Sequence, residues 1–465
     1  MPRQRLAKPA YRATTVRDIV LALVLGFFVL WSLRAPWIGV LLWVVVSILN
    51  PHTYSWILLT MPVAAAVAGA TMVGMAVSPD RKSFPITPET LLLLMMMAWF
   101  SVTLSTSMYY EDSFEQWKKV MKIDLMLLIT LAVMHNRKHI VGLTWALVVS
   151  IGFYSVKGGL FTLATGGSYR VWGPEGTYIE GNNELALAVI ITIPLMQFLR
   201  LNSTNIWIKR GLLFSMVVSA ISALGSHSRG AVLALAAMAI VLWWRSKNKL
   251  VLGILMPVVG VLMIGFMPPE WFERMSSIGE YKEDGSAMGR INAWWMAWNL
   301  AKDNFFGGGF EIYTPANFAR YAPDATDIHA AHSIYFQILG EHGFVGLTLY
   351  IALWTVTFVS AGKLRNVAAR RPETQWLSDL GAMCQVSIAG FAVGGAFLSL
   401  AYFDLSYNIM VLVVIARRWI REEAWRNEPA AVMSGEAEAA AKPSSLVRRV
   451  RSHLVGGPPL PKPKH

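Results

Sequence analysis

The sequence is short of cysteine and of charge, and each shortage excludes a class of protein. A single cysteine, Cys384, lies inside an apolar run. One thiol can build neither a disulfide framework nor a thiolate metal site within the chain, so Cys384 is read as packing. Charged residues make up only 15% of the 465 positions and hydrophobic ones 55%, with a mean hydropathy of +0.46. That is too little polar surface to cover a globule of this size, so lipid must do most of the solvating. The formal charge of +13 is not gathered on one stripe, which argues against a nucleic-acid partner. It is divided into short clusters between apolar runs, the pattern of membrane topology.

What is present is a series of thirteen apolar runs: 16–33, 36–49, 56–77, 90–104, 120–133, 140–163, 184–199, 208–224, 231–244, 250–267, 344–360, 382–401 and 405–420. A bilayer core needs about 20 apolar residues per helix, fewer where polar ends snorkel. Lys and Arg resist translocation, so Arg81-Lys82, Arg137-Lys138, Lys209-Arg210, 245–249, 363–371 and Arg417-Arg418 are placed in the cytoplasm. The loops around Asp112, Arg170 and Arg229 and the long segment 268–331 then fall outside. The N-terminus, with Arg3, Arg5, Lys8, Arg12 and Arg17, is placed inside as an uncleaved anchor, because no small-residue cleavage site follows Trp31-Ser-Leu-Arg34. Parity is kept by reading the first two runs as one crossing interrupted at Arg34-Ala35-Pro36, where proline breaks a helix.

The expected fold is therefore an all-α integral membrane protein with about twelve transmembrane helices. Residues 1–15 form a cytoplasmic N-terminus, 16–267 and 332–420 hold the spans, and 268–331 is an outer helical segment. In that segment Ile291, Trp294, Trp298 and Ala301 share one face, which is expected at the membrane interface. Residues 421–465 form a cytoplasmic tail, too polar and proline-broken to pack.

Chemistry is sought on the outer side, where charges near helix ends are costly unless they serve one another or a ligand. Three arginines stand there: Arg170 in Gly167-Ser-Tyr-Arg-Val-Trp-Gly173, Arg229 in Ser226-His-Ser-Arg-Gly230 and Arg290 in Met288-Gly-Arg-Ile291. Arginine's fork of donors suits bidentate phosphate binding. Any one of them alone is as well explained by pairing with an acid such as Glu184 or by snorkelling, but three on one side favour an anionic ligand. The polar run Gly181-Asn-Asn-Glu184 makes Asn183 and Glu184 supporting candidates, with Ser228 and Glu341.

His332 begins the apolar stretch that follows His329-Ala-Ala. A histidine at a helix start feels the positive end of the dipole, which favours its neutral form and makes it a candidate general base. A metal shared by His329, His332 and Asp327 is the alternative, set aside because catalytic zinc takes three firm ligands and no further His or Cys pattern supplies them. On an unbroken helix Glu341 lies nearly opposite His332. It is structural unless Gly340 and Gly343 break the helix. Asn304-Phe-Phe-Gly-Gly-Gly-Phe310 is read as a tight turn. No paired Asp-x-Asp appears in the outer segments, and no glycine-rich loop follows a strand, so nucleotide-sugar or ATP chemistry is not indicated.

Ser228-Arg229-Gly230, Gly289-Arg290 followed by Trp294 and Gly307-Gly-Gly-Phe310, and His332-Ser333 followed by Glu341-His-Gly343 together resemble the O-antigen ligase family. That family shares its architecture with O-antigen polymerases and O-glycosylation ligases. Arg17-Asp-Ile-Val-Leu-Ala-Leu through Asn50-Pro-His52 is similar to the ligase subgroup associated with exosortase systems. The family often carries asparagine where Ser333 stands here.

The resemblance implies an inner-membrane glycosyltransferase of GT-C-like architecture. It would move a glycan from an undecaprenyl pyrophosphate donor to a sugar hydroxyl of lipid A-core at the periplasmic face, without cofactor or metal and with inversion. Arg229, Arg290 and Arg170 would hold the pyrophosphate, and His332 would act as base. Polymerase and protein O-glycosylation activity on the same donor are the near alternatives. A flippase or transporter, whose charges line a route, is the alternative of another class.

Overall fold

A computed structural model describes residues 15–80, 82–245, 248–276 and 285–427. Among these the regular structure is entirely helical. In chain order the α-helices are α1 (Val16–Ser32), α2 (Pro36–Ile48), α3 (Val63–Val77), α4 (Pro88–Ser105), α5 (Tyr110–Val133), α6 (Arg137–Ala164), α7 (Asn182–Asn202) and α8 (Ile206–Gly225). They continue as α9 (Arg229–Arg245), α10 (Lys249–Gly265), α11 (Pro269–Ser276), α12 (Gly285–Asp303), α13 (Pro315–Tyr321), α14 (Ile334–Ala368), α15 (Gln375–Gly394) and α16 (Asp404–Arg421). The chain is a helical, multi-pass membrane protein. Six helical segments among the described residues are long and apolar enough to cross a membrane, and four shorter helices are also apolar.

Local chemistry sets many of these boundaries. Proline at the first helical position, where its missing N–H costs nothing, starts α2, α4 and α13. The side chains of Thr87, Asn136 and Asn205 accept hydrogen bonds from the first-turn amides of α4, α6 and α8. The centre of the bundle is α7, almost wholly buried from Leu185 to Leu199, with α16 buried nearly as completely. A helix apolar all round belongs inside. By contrast α10 buries no residue and lies at the periphery.

Small residues let helices approach where lipid provides no hydrophobic drive. A Cβ on Gly159 of α6 would come within 2.1 Å of the Val218 carbonyl oxygen of α8, and one on Gly74 of α3 within 2.2 Å of the Ser32 carbonyl oxygen.

The helices alternate in direction and leave two distinct ends. At one end Arg418 donates to the Ser83 carbonyl, Ser83 N–H donates to the Ala132 carbonyl, Arg137 stacks on Trp376 and Lys138 on Trp37. The basic connections thus gather on one side, as positive-inside patterning expects. At the other end lie Asn50–Trp56 and the connections 165–181, 226–228, 304–310, 331–333 and 395–403.

One expectation is corrected. The first two apolar runs are not one interrupted crossing. The carboxylate of Asp18, at the start of α1, accepts from the backbone N–H of Trp56, beyond the end of α2 (3.0 Å), and Leu25 packs in one cluster with Leu42 and Val46. Thus α1 and α2 form an antiparallel hairpin, and the Arg34-Ala35-Pro36 break is its turn. The start of α1 therefore lies at the end opposite the basic loops, whereas the sequence placed residues 1–15 with them; residues 1–14 fall outside the described residues. So does the tail beyond 427.

The stripe on α12 is divided: Ala301 is buried with Gly289, Asn292, Ala293, Met296, Ala297 and Leu300, whereas Ile291 and Trp294 are half-buried and Trp298 is exposed. Small side chains allow α12 to press on α14, where a Cβ added to Gly340 would lie 2.9 Å from that of Ala297. Trp294 instead stacks on Phe336 at 5.0 Å and donates to the Ala331 carbonyl (2.7 Å).

Candidate active site

Four connections meet at the end opposite the basic one. Asn182, the first residue of α7, is buried and donates from Nδ2 to the Ser226 carbonyl (2.7 Å). Val171 N–H donates to the Gly225 carbonyl (3.1 Å). His227 sits at φ +56° with Nε2 2.7 Å from the Gly167 carbonyl. The loop before α7 is thereby stitched to the connection between α8 and α9.

Ser228 Oγ accepts from Ala231 N–H (3.1 Å), capping α9, whose first residue is Arg229. A Cβ on Gly230 would lie 3.4 Å from that of Phe397, and one on Gly395 would come within 2.6 Å of the Ile334 side chain. Glycine at both points brings α9, the end of α15 and the start of α14 together.

His332 stands two residues before α14, at φ +42°, with its N–H donating to Ser399 Oγ (3.0 Å). Left-handed backbone is unfavourable for a residue with a Cβ and recurs at functional sites. The imidazole Nδ1 lies 3.9 Å from Glu184 Oε1, with side chains 33% and 16% exposed. That Nδ1 is buried and has no hydrogen-bond partner. Glu184 is the third residue of α7, and its carboxylate folds back over Gly181, where an added Cβ would meet Oε2 at 2.0 Å.

Arg290 is close enough to act electrostatically on both Glu184 and His332. Burial first, then the fields of Arg290 and His329, lower the His332 pKa to about 4. A carboxylate at 3.9 Å opposes this, but the imidazole remains neutral at neutral pH.

The sequence candidates separate accordingly. Arg290, Glu184 and His332 are brought together from three elements. Arg229 lies at the same end on α9. Arg170 is exposed there and makes none of the contacts that join the other three. Asn183 is half-buried, while its neighbour Asn182, not singled out in the sequence, makes the bond to Ser226.

His329 takes Asp327 (Nε2 to Oδ1, 2.8 Å), and its ring lies against Gly289, within 2.3 Å of where a Cβ would stand. Gly289 therefore makes room for His329 beside Arg290. The two histidines face different carboxylates, and among the described residues no three His, Cys, Asp or Glu side chains are grouped to hold a metal ion.

Glu341 belongs to a second buried group. The hydroxyl of Tyr402 donates to Glu341 Oε2 and lies 2.8 Å from His342 Nε2, while His342 Nδ1 is 2.7 Å from Thr103 Oγ1. With Glu341 as acceptor, donation runs from Thr103 through His342 and Tyr402 to the carboxylate. Burial, reinforced by Glu341, raises the Tyr402 pKa well above its ordinary value and keeps it a donor.

α14 is broken at Gly343 (φ +66°, ψ −172°), after Glu341, so Glu341 stays on the first part of the helix and does not reach His332. The glycine motif fits this break. Gly308 and Gly309 donate their N–H groups to the Gly340 and Glu341 carbonyls (2.9 Å each), and a Cβ on Gly307 would sit 2.6 Å from Gly343 N. It is a turn, as the sequence suggests, with the added task of capping the broken helix.

Residues 214–351 match the family described as O-antigen ligase, and residues 16–204 match a family of unknown function. No curated protein matches the chain. The first match contains Arg229, Arg290, His332 and Glu341, whereas Glu184 and Arg170 fall in the second.

Proposed function

Since the chain belongs to the O-antigen ligase family, we propose that it transfers a glycan from undecaprenyl pyrophosphate to a sugar hydroxyl of lipid A-core, at the periplasmic face of the inner membrane. The observation that carries this reading is the meeting of Arg290, Glu184 and His332 at the end of an apolar bundle opposite its basic loops. Basic loops stay in the cytoplasm, which supports a periplasmic position for His332. No nucleotide pool exists there, so the energy for transfer resides in the glycosyl pyrophosphate itself. With α1 and α2 a hairpin, we read each apolar run as its own crossing, thirteen in all, α1 to α10 and α14 to α16.

In the reaction the acceptor oxygen attacks the anomeric carbon, the bond from that carbon to the pyrophosphate oxygen breaks, and configuration inverts. His332 takes the acceptor's proton. Its Nδ1 is turned to Glu184, which leaves Nε2 for the acceptor and gives Glu184 the task of orienting the ring and stabilising the imidazolium that forms. Arg290 and Arg229, with Arg170 at the mouth, hold the pyrophosphate and stabilise the charge that develops on departure. No step requires a metal.

The test is purified protein incubated with lipid-linked O-antigen, with and without lipid A-core. Glycosylated lipid A-core is the expected product. Lengthening of the lipid-linked glycan without lipid A-core would instead make the chain a polymerase, and passage of glycan across a proteoliposome without a new bond a transporter.

A further inference from the structure

We propose that the cavity between α4, α14 and α16, at the end opposite His332, binds the phosphate headgroup of an anionic membrane phospholipid. The cavity measures about 420 Å³, and Lys363, Arg417, Arg418 and Arg421 line it, with Ile86 and Val367 on its wall. That volume falls in the range of about 300–1,000 Å³ usual for small-ligand sites.

Two of its four cations are matched within the protein. Arg417 Nη1 lies 3.2 Å from Glu89 Oε1 and 2.6 Å from Ser360 Oγ. Arg418 Nε lies 3.0 Å from Glu422 Oε1, and its Nη1 donates to the Ser83 carbonyl (2.6 Å). The other two cations, Lys363 and Arg421, are exposed and have no acidic partner within 4 Å among the described residues. A second observation points the same way. Arg418 is only 2% exposed, yet its Nη2 is buried with no hydrogen-bond partner. A buried guanidinium with a spare donor, beside two uncompensated cations, calls for an oxyanion.

The wall specifies the rest of the ligand. Ile86 is 75% exposed and Val367 44%, so apolar surface adjoins the charges on the outside of the bundle. A free phosphate would leave that surface wet, whereas a phospholipid covers it with an acyl chain while its phosphate meets the cations. Basic pockets between helices on the cytoplasmic side suit such headgroups.

The experiment is native mass spectrometry of the full chain in mild detergent with equimolar phosphatidylglycerol, cardiolipin and phosphatidylcholine. Wild type should retain the two anionic lipids. Each cation near a membrane surface contributes about 1 kcal/mol to such binding, so the double variant Lys363→Gln/Arg421→Gln should retain them about 30-fold less, and Arg421→Gln alone about five-fold less. Both side chains are exposed, so the fold should stand. Lys209→Gln, basic and outside the cavity, should behave as wild type. Equal retention by the double variant and wild type would overturn the proposal. So would inorganic pyrophosphate at millimolar concentration displacing phosphatidylglycerol and raising the unfolding temperature as much, because the site would then hold a soluble phosphate.

Discussion

His332 concentrates the account at the scale of single residues. Its imidazole is held neutral by burial and by the neighbouring Arg290, with a pKa lowered from the ordinary 6.5 to about 4. A base so depressed stays competent as acid is added. The acid limb of the turnover profile should therefore fall near pH 4 to 5, measured by ligation in buffers from pH 4 to 8, and a limb at 6.5 or above would mean that His332 titrates unperturbed. The same shift makes a stability contribution that is full above pH 6.5 and is lost as pH falls toward 4, because the unfolded imidazole binds the proton first.

For the arginines, Arg290→Ala and Arg229→Ala should lose most turnover. The lysine replacements should restore only part of it, since an ammonium lacks the bidentate fork. Steady-state rates checked against donor concentration would show this, and full activity in Arg290→Lys would reduce its role to a generic charge. That these candidates stand at the ends of apolar runs was legible in the sequence, where arginine and histidine have few reasons to be. The pairing of Glu184 with His332, 148 positions apart, was not, since nothing local in either segment encodes which helix ends converge. Tyr402, which secures Glu341, carried no signal at all.

At the scale of elements the decisive feature is the break in α14. Gly343 occupies backbone that is almost confined to glycine, and a Cβ there would come within 2.3 Å of the Phe305 carbonyl oxygen. Gly343→Ala should destabilise by about 2 kcal/mol or more, read as a lowered thermal unfolding temperature in detergent. Gly26→Ala, within α1 and with nothing near its added Cβ, should be neutral or slightly stabilising. Equal melting of the two variants would contradict the strain assigned to Gly343.

The sequence named Gly340 and Gly343 as possible breaks without deciding between them, because the deciding partner is the distant loop 304–310. On α12, periodicity revealed a face but not which side packs. Tryptophans are at home at an interface, and the small-residue face opposite was the one α14 needed. The α1–α2 hairpin was hidden for a related reason, since a proline between two apolar runs serves equally as a kink or a turn.

At the scale of the whole molecule, the class and the gathering of basic connections at one end were the most legible features, because bilayer thickness and the bias of Lys and Arg act on composition, which a sequence displays directly. Parity was less so, and the hairpin now fixes it differently. Cysteines introduced at Thr15, at the start of α1, and at Ser276 should both react with an impermeant thiol reagent once the outer membrane is permeabilised, while one at Ser445 should not. Protection of Thr15→Cys with labelling of Ser276→Cys would restore the interrupted crossing.

The claim on which the account depends is that this bundle catalyses ligation through His332. The most direct measurement compares wild type with His332→Ala for two quantities in one preparation, binding of the lipid-linked donor and glycosylation of lipid A-core. Loss of a general base typically costs about 100-fold to 10,000-fold in rate, so the variant should bind donor as wild type does and form product at that reduced rate. Product formed by His332→Ala at the wild-type rate would contradict the mechanism.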